Sequence, residues 1–191
     1  MDSHVNQLTK ACFFHIRSLH HIRSSLSVDI AKVLACSLIS SRLDYANAIL
    51  YGMSEKDITK LQRIQNSLAR VIVEAPRTEH VTGHLKNLHW LPIRYRIEFK
   101  IAVLTYNCPT NSAPSYLTNL LTEHCPRQAL RSSSVRWLEA PFIKTQFRAR
   151  GFRAAAPKIW NDLPDNVCQS SSLVLFKQNL KTFLFQCAFD N

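Results

Sequence analysis

The segment Ser54–Pro76, SEKDITKLQRIQNSLARVIVEAP, decides the fold class. Ile58, Leu61, Ile64, Leu68 and Ile72 recur at spacings that put them on one face of a helix, with Lys60, Arg63 and Arg70 turned outward. Ser54 and Asp57 stand at capping-box spacing, with aspartate where Glu or Gln is usual, and Pro76 marks the stop. Upstream, Leu8, Cys12, Ile16, Leu19 and Ile22 repeat the same period over residues 5–22. Ser27 is placed to cap a second helix with Ile30, Leu34 and Leu38 inward, running on through Leu43 and Ile49 to Gly52. Three such helices with short connections predict a compact bundle over about residues 1–75.

Residues 80–191 read as a second, mostly helical module. Ile93, Tyr95, Ile97, Phe99 and Ile101 alternate as in a strand, yet Ile93, Ile97, Ile101 and Leu104 also form a helical stripe. Helix is the reading taken, because Pro92 suits a first turn and the pattern continues to Tyr106, beyond usual strand length. Cys108–Ala113 reads as a loop and Pro114–Leu121 as a short helix. Phe152–Trp160 is helical despite Pro157, which is placed to begin its main turn, and Asn161–Pro164 closes it. Leu173–Phe185 forms a last helix with Leu173, Phe176, Leu180 and Leu184 on one face. Between them the serines, arginines and aromatics lack a helical period, and a short irregular β-hairpin around Ala140-Pro141 is expected. The fold class is therefore mainly α.

Three glycines in 191 residues argue against a turn-rich β fold and against a glycine-rich phosphate loop. Six scattered cysteines contain no Cys-x-x-Cys pair, so neither a zinc ribbon nor a thioredoxin-like site is indicated. No signal-peptide pattern opens the chain, and no apolar run approaches a membrane span. An intracellular protein, cytoplasmic or nuclear, with reduced thiols and no membrane partner is the expectation.

The net charge of +11 is unevenly placed. Residues 126–160 hold Arg127, Arg131, Arg136, Lys144, Arg148, Arg150, Arg153 and Lys158 against Glu139 alone. Such a concentration predicts a polyanion partner, since neutralising phosphates releases condensed counterions. A merely solvated basic surface is the plainer alternative. Trp90, Tyr95, Trp137, Phe147, Phe152 and Trp160 lie near arginine, where bases can stack on rings. Trp90 and Trp160, set among Leu, Ile and Pro, read instead as core.

Other constellations fail. Asp2, Asp29, Asp44, Asp57, Asp162, Asp165 and Asp190 fall singly, so no pair is set to hold two metal ions. His80 and His84 would share a helix face, but Gly83 lies between them and no cysteine sits near in sequence, so scattered structural histidines are the reading. Cys125 and Cys168 read as small buried hydrophobes, and no Gly-x-Ser-x-Gly elbow exists. Arg42 and Asp44, two apart, cannot pair on one helix, so a tether to another segment is the expected role of Asp44. No cofactor is expected.

Three stretches are unusual in their order of residues: Ser40–Gly52 (SSRLDYANAILYG), Leu85–Lys100 (LKNLHWLPIRYRIEFK) and Ala154–Pro164 (AAAPKIWNDLP). With Ala113–Leu117, Leu130–Ser133 and Phe176–Phe185, they resemble the C-terminal region of the reverse transcriptase of non-LTR (LINE-type) retrotransposons, of the chicken-repeat and jockey-like kind. The resemblance covers nearly all of the chain. It departs at Cys108–Ser112, where that family usually carries glycine, and at Phe147–Gly151, which lacks the usual Tyr-Gly-Asp-Arg run.

The resemblance implies a thumb-like bundle at 1–75 and a C-terminal module at 80–191, with the polymerase palm and its aspartates lying upstream. It implies a non-catalytic fragment of an RNA-directed DNA polymerase that binds RNA, single-stranded DNA or an RNA–DNA hybrid without sequence specificity. The alternatives are a domesticated protein-interaction module and a functionless relic of a retroelement. Because no paired aspartates exist, the purified chain is expected not to extend a primer on an RNA template with Mg²⁺ or Mn²⁺. Templated extension by the chain alone, measured on a labelled primer, would refute this reading.

Overall fold

A computed structural model describes residues 2–109, 113–123 and 137–190. These residues are mainly helical and contain no sheet; the single β-bridge joins Glu123 to Leu138. The chain divides into two compact units, residues 1–47 with 53–96, and residues 48–52 with 97–191. The module boundary expected at 75–80 falls inside the first unit.

In the first unit, α1 (Asp2–Ile22) packs along α4 (Glu55–Val73). The two run in the same direction. Lys60 Nζ meets Asn6 Oδ1 at 3.1 Å near their starts, and Arg23 Nε donates to the Ile72 carbonyl at 2.8 Å near their ends. Leu61, Ile64, Leu68 and Ile72 are buried against Val5, Cys12, Ile16 and Leu19, as the period predicted, while Ile22 is exposed and Ile58 and Leu8 are half-buried. Each fully buried aliphatic side chain contributes about 1.5–3 kcal/mol of transfer free energy.

The ends of α4 are closed by side chains. Ser54 accepts from the Asp57 amide at 3.3 Å and donates to the Asp57 carboxylate at 2.7 Å, with Lys60 3.2 Å away. The Ser54 and Lys60 hydrogen bonds hold the Asp57 carboxyl below its ordinary range. At the other end the helix stops at Val73, before Pro76. Glu74 adopts the left-handed conformation and the Ala75 amide returns to the Arg70 carbonyl at 3.0 Å. Arg23, itself buried, serves the Ile72 carbonyl there and pairs with Glu74 at 3.1 Å.

The second helical stretch departs from expectation. It is α2 (Val28–Ala35), a π-helical turn (Cys36–Ser40) and α3 (Ser41–Asp44), and it ends at Tyr45 rather than running to Gly52. Its buried row is Ala31, Ala35, Ile39 and Leu43; Ile30 and Leu38 are exposed and Leu34 is half-buried. Residues spaced by four drift about 40° per step around a straight α-helix. The wide π turn takes up that drift, so the row stays against the bundle. The small side chains of Ala31 and Ala35 suit a close approach to α4 better than Ile30 and Leu34 would.

Residues 85–96 complete the unit. The short α5 (Thr82–Asn87), absent from the sequence reading, is followed by Leu88 and by His89, whose left-handed backbone lets the Trp90 amide reach the Leu85 carbonyl at 2.9 Å. The next segment is held by two glutamines of α4. Gln65, fully buried, donates to the Leu91 carbonyl at 2.9 Å, and Gln62 accepts from the Ile93 amide at 2.9 Å. Gln62 also donates to Gln65 at 2.9 Å and to Asn66 at 2.8 Å. Asp44 pairs with Arg96 and Glu55 with Arg94, so Asp44 is the tether anticipated from its spacing.

α6 (Ile93–Asn107) is helical, as read, with Ile93, Ile97 and Ile101 buried. The second unit contains its residues from Ile97 onward, α7 (Ser115–Thr118), α8 (Gln146–Ala149), α9 (Phe152–Asn161), α10 (Asp165–Cys168) and α11 (Leu173–Phe189). Tyr106 stacks on Phe176 at 4.3 Å between ring centroids, and Trp160 lies 5.9 Å from Phe176. Phe176, Leu180 and Leu184 are buried, as their period predicted. α9 spans Phe152–Asn161 with Pro157 inside it, as read for Phe152–Trp160.

The expected hairpin around Ala140-Pro141 does not form among the described residues, where 139–144 have no regular structure. Leu138 pairs elsewhere: its amide and carbonyl both bind the Asn161 side chain, at 3.0 and 2.9 Å, and the Glu139 amide donates to Thr122. Pro141, lacking an amide donor, cannot close a ladder there.

Two stability predictions follow from the α4 face. Leu68→Asp buries an unpaired carboxylate at several kcal/mol and is expected to abolish cooperative melting of the first unit, read by circular dichroism. Gln65→Ala leaves the Leu91 carbonyl without its donor and is expected to cost about 1–3 kcal/mol in a urea titration. An unchanged midpoint for Gln65→Ala would show that the glutamine bonds are not formed.

Candidate nucleic-acid interface

The basic segment is built on short, locally capped elements of the second unit. The Asn161 side chain anchors Leu138, so the chain enters the segment from a fixed point. Thr145 caps α8 by accepting from the Arg148 amide at 3.4 Å. Gly151, in extended conformation, precedes α9, and α8 packs on α9. On α9, Ala155, Ala156, Pro157, Ile159 and Trp160 are buried, which leaves Arg153 and Lys158 on the outer side.

Of the eight expected contact residues, Arg127, Arg131 and Arg136 lie outside the described residues. Lys144, Arg148, Arg150, Arg153 and Lys158 are all exposed. None of the five is in an ion pair among the described residues; Glu74, Asp29, Asp57, Glu79, Glu55 and Asp44 serve Arg23, Lys32, Lys60, His84, Arg94 and Arg96 instead. Arg150 is positioned by its stem. Gly52 has φ +68°, and a Cβ added there would come within 2.8 Å of Arg150 Cγ, so the arginine's methylenes lie over the bare glycine. The glycine read as a helix stop thus also seats a cation.

The rings divide sharply. Trp160 is buried, as read, and Trp90, Tyr95 and Phe152 are half-buried. Phe147 is 85 % exposed and Trp137 45 %. Phe142, which the sequence reading passed over as a base-stacking ring, is 88 % exposed. Its position two residues before Lys144 was the available signal; the missing period hid which way it faced. Exposed rings interleaved with exposed cations supply both elements of single-strand binding, a π-face for each base and charge for the backbone.

Among the described residues no group of three His, Cys, Asp or Glu is arranged to hold a metal ion. His84 Nε2 lies 3.1 Å from Glu79 rather than sharing an ion with His80. Burial, with a smaller effect from Asp165, pushes the Cys168 thiol up to about 11, which leaves it protonated near neutral pH and a poor nucleophile. Cys125 lies outside the described residues. A cavity of about 250 Å³ is lined by Thr105, Cys108, Thr118, Leu138, Trp160 and one carboxylate, Glu123. No helix among the described residues is long and apolar enough to cross a membrane. No protein-family model, curated protein or solved structure matches the chain.

Proposed function

We propose that this chain is a non-catalytic, nucleic-acid-binding C-terminal portion of a non-LTR retrotransposon reverse transcriptase. It holds RNA, single-stranded DNA or an RNA–DNA hybrid without sequence specificity. The observation that carries the binding part is the run of exposed cations Lys144, Arg148, Arg150, Arg153 and Lys158, in no ion pair among the described residues, close in sequence to the exposed rings of Trp137, Phe142 and Phe147. The retrotransposon part rests on the sequence resemblance.

Phosphate contacts position a strand without reading it, and stacking tolerates any base, so neither group selects a sequence. A second reading, a protein-interaction module, is favoured by a different observation: the exposed apolar residues Ile30, Val33 and Leu38 on the second helical stretch.

Filter binding to a 20-nucleotide single strand and to a hybrid of the same length, at several salt concentrations, tests the proposal. Arg148→Gln, Arg150→Gln and Arg153→Gln together are expected to weaken binding and to flatten the salt slope by about 0.7 per lost contact on the single strand. Phe142→Ala and Phe147→Ala are each expected to cost about 1–3 kcal/mol on the single strand and less on the hybrid, whose bases are already stacked. Lys177→Gln with Lys181→Gln, exposed cations of α11, is expected to change little. Absence of binding at low salt, or equal losses from both cation sets, refutes the proposal.

A further inference from the structure

The second helical stretch turns an apolar row away from its own bundle. Val33 is 66 % exposed, Ile30 52 % and Leu38 40 %, with Leu34 half-buried between them. With the π turn absorbing the drift, residues spaced by four form two adjacent outward rows. One is Ile30, Leu34, Leu38 and Arg42; the other is Asp29, Val33, Ser37 and Ser41. Charge is distributed along them in one sense. Asp29 stands at the start, and Arg42, in no ion pair among the described residues, stands at the end. The Arg42 Nε serves the Leu38 carbonyl at 3.1 Å, which leaves the terminal guanidinium nitrogens for another acceptor. The ammonium of Lys32 is 3.7 Å from the Asp29 carboxylate, whose side chain remains 93 % exposed.

We infer that this face binds the same face of a second copy of the chain, with the two helices antiparallel about a two-fold axis between Ala35 and Cys36. That register is apolar on apolar near its centre and opposite in charge at its ends, with serines facing aliphatic side chains between. Val33 meets the partner's Leu38, Leu34 meets the partner's Ser37, and Ile30 meets the partner's Ser41. Asp29 meets the partner's Arg42. The axis repeats each contact, so Val33, Leu34 and Leu38 of both copies enclose the centre and an opposite-charge pair closes each end. A parallel pairing would put Asp29 against Asp29 and Arg42 against Arg42 and is disfavoured by like-charge repulsion. One helix face of under five turns is smaller than the about 800 Å² per partner of a standard interface, so the dimer is weak, with a dissociation constant on the order of 10–100 μM. This association is independent of the nucleic-acid reading, because none of its residues lies in the basic segment.

Sedimentation velocity on the full chain, without nucleic acid and at low salt, tests it. The wild-type chain is expected to move from monomer to dimer as concentration rises through that range. Val33→Glu, at an exposed site that leaves the circular dichroism spectrum unchanged, is expected to hold the chain monomeric. Asp29→Arg alone and Arg42→Asp alone are each expected to weaken association at least tenfold. An equimolar mixture of these two variants restores both end pairs and is expected to recover the wild-type midpoint. A chain monomeric at all concentrations overturns the inference, as does a dimer indifferent to Val33→Glu. A mixture no tighter than its components overturns the antiparallel register.

Discussion

Two glutamines on α4 are the constraint on which the first unit depends. Residues 88–92 join α5 to α6; the amides of Leu88, His89 and Trp90 return to α5, but the Leu91 carbonyl and the Ile93 amide need partners from elsewhere. Gln65 and Gln62 supply them, one as donor to Leu91 and one as acceptor from Ile93, and they bond to each other in doing so. A buried amide with its bonds made costs little, whereas one left unmade costs its full desolvation. The pair therefore specifies one register for the start of α6. The ion pairs Asp44–Arg96 and Glu55–Arg94 lie farther out, where water screens them, and contribute less.

This explains what could be read in advance and what could not. Leu61, Ile64, Leu68 and Ile72 on α4, and Phe176, Leu180 and Leu184 on α11, declare their burial through spacing alone. Gln65 shares the α4 face with them but is polar, and a period of hydrophobicity cannot show that a glutamine is buried to meet a carbonyl 26 residues away. The second helical stretch misleads for a related reason. Ile30, Leu34 and Leu38 have the stronger hydrophobic signal, but the bundle takes the row containing the small Ala31 and Ala35, and a π turn that leaves no mark in composition aligns that row. Around Ala140-Pro141 no hairpin forms among the described residues, and Asn161 binds both backbone polar groups of Leu138 instead.

The candidate interface was legible as charge but not as shape. Counting arginines located the segment. Only the structure separates Trp160, committed to a stack with Phe176, from Phe142 and Phe147, which face water. It also shows how a cation in no ion pair among the described residues is seated: Arg150 lies over Gly52, and the close approach needs the missing Cβ. A guanidinium held by its methylenes keeps all its donors for a phosphate, whereas one held by a carboxylate would have spent some of them.

The parallel pairing of α1 with α4 has a consequence for synthesis on the ribosome. Asn6 meets a partner 54 residues later and Arg23 one 49 residues later, so α1 has no complete apolar surface to pack on until α4 has emerged. At translation rates of about 5–20 residues per second, that interval lasts about 3–10 s. During it Val5, Cys12, Ile16 and Leu19 face solvent on a nascent helix. The first unit is thus built to close late and all at once, and its N-terminal helix is the segment most in need of chaperone cover while the chain grows.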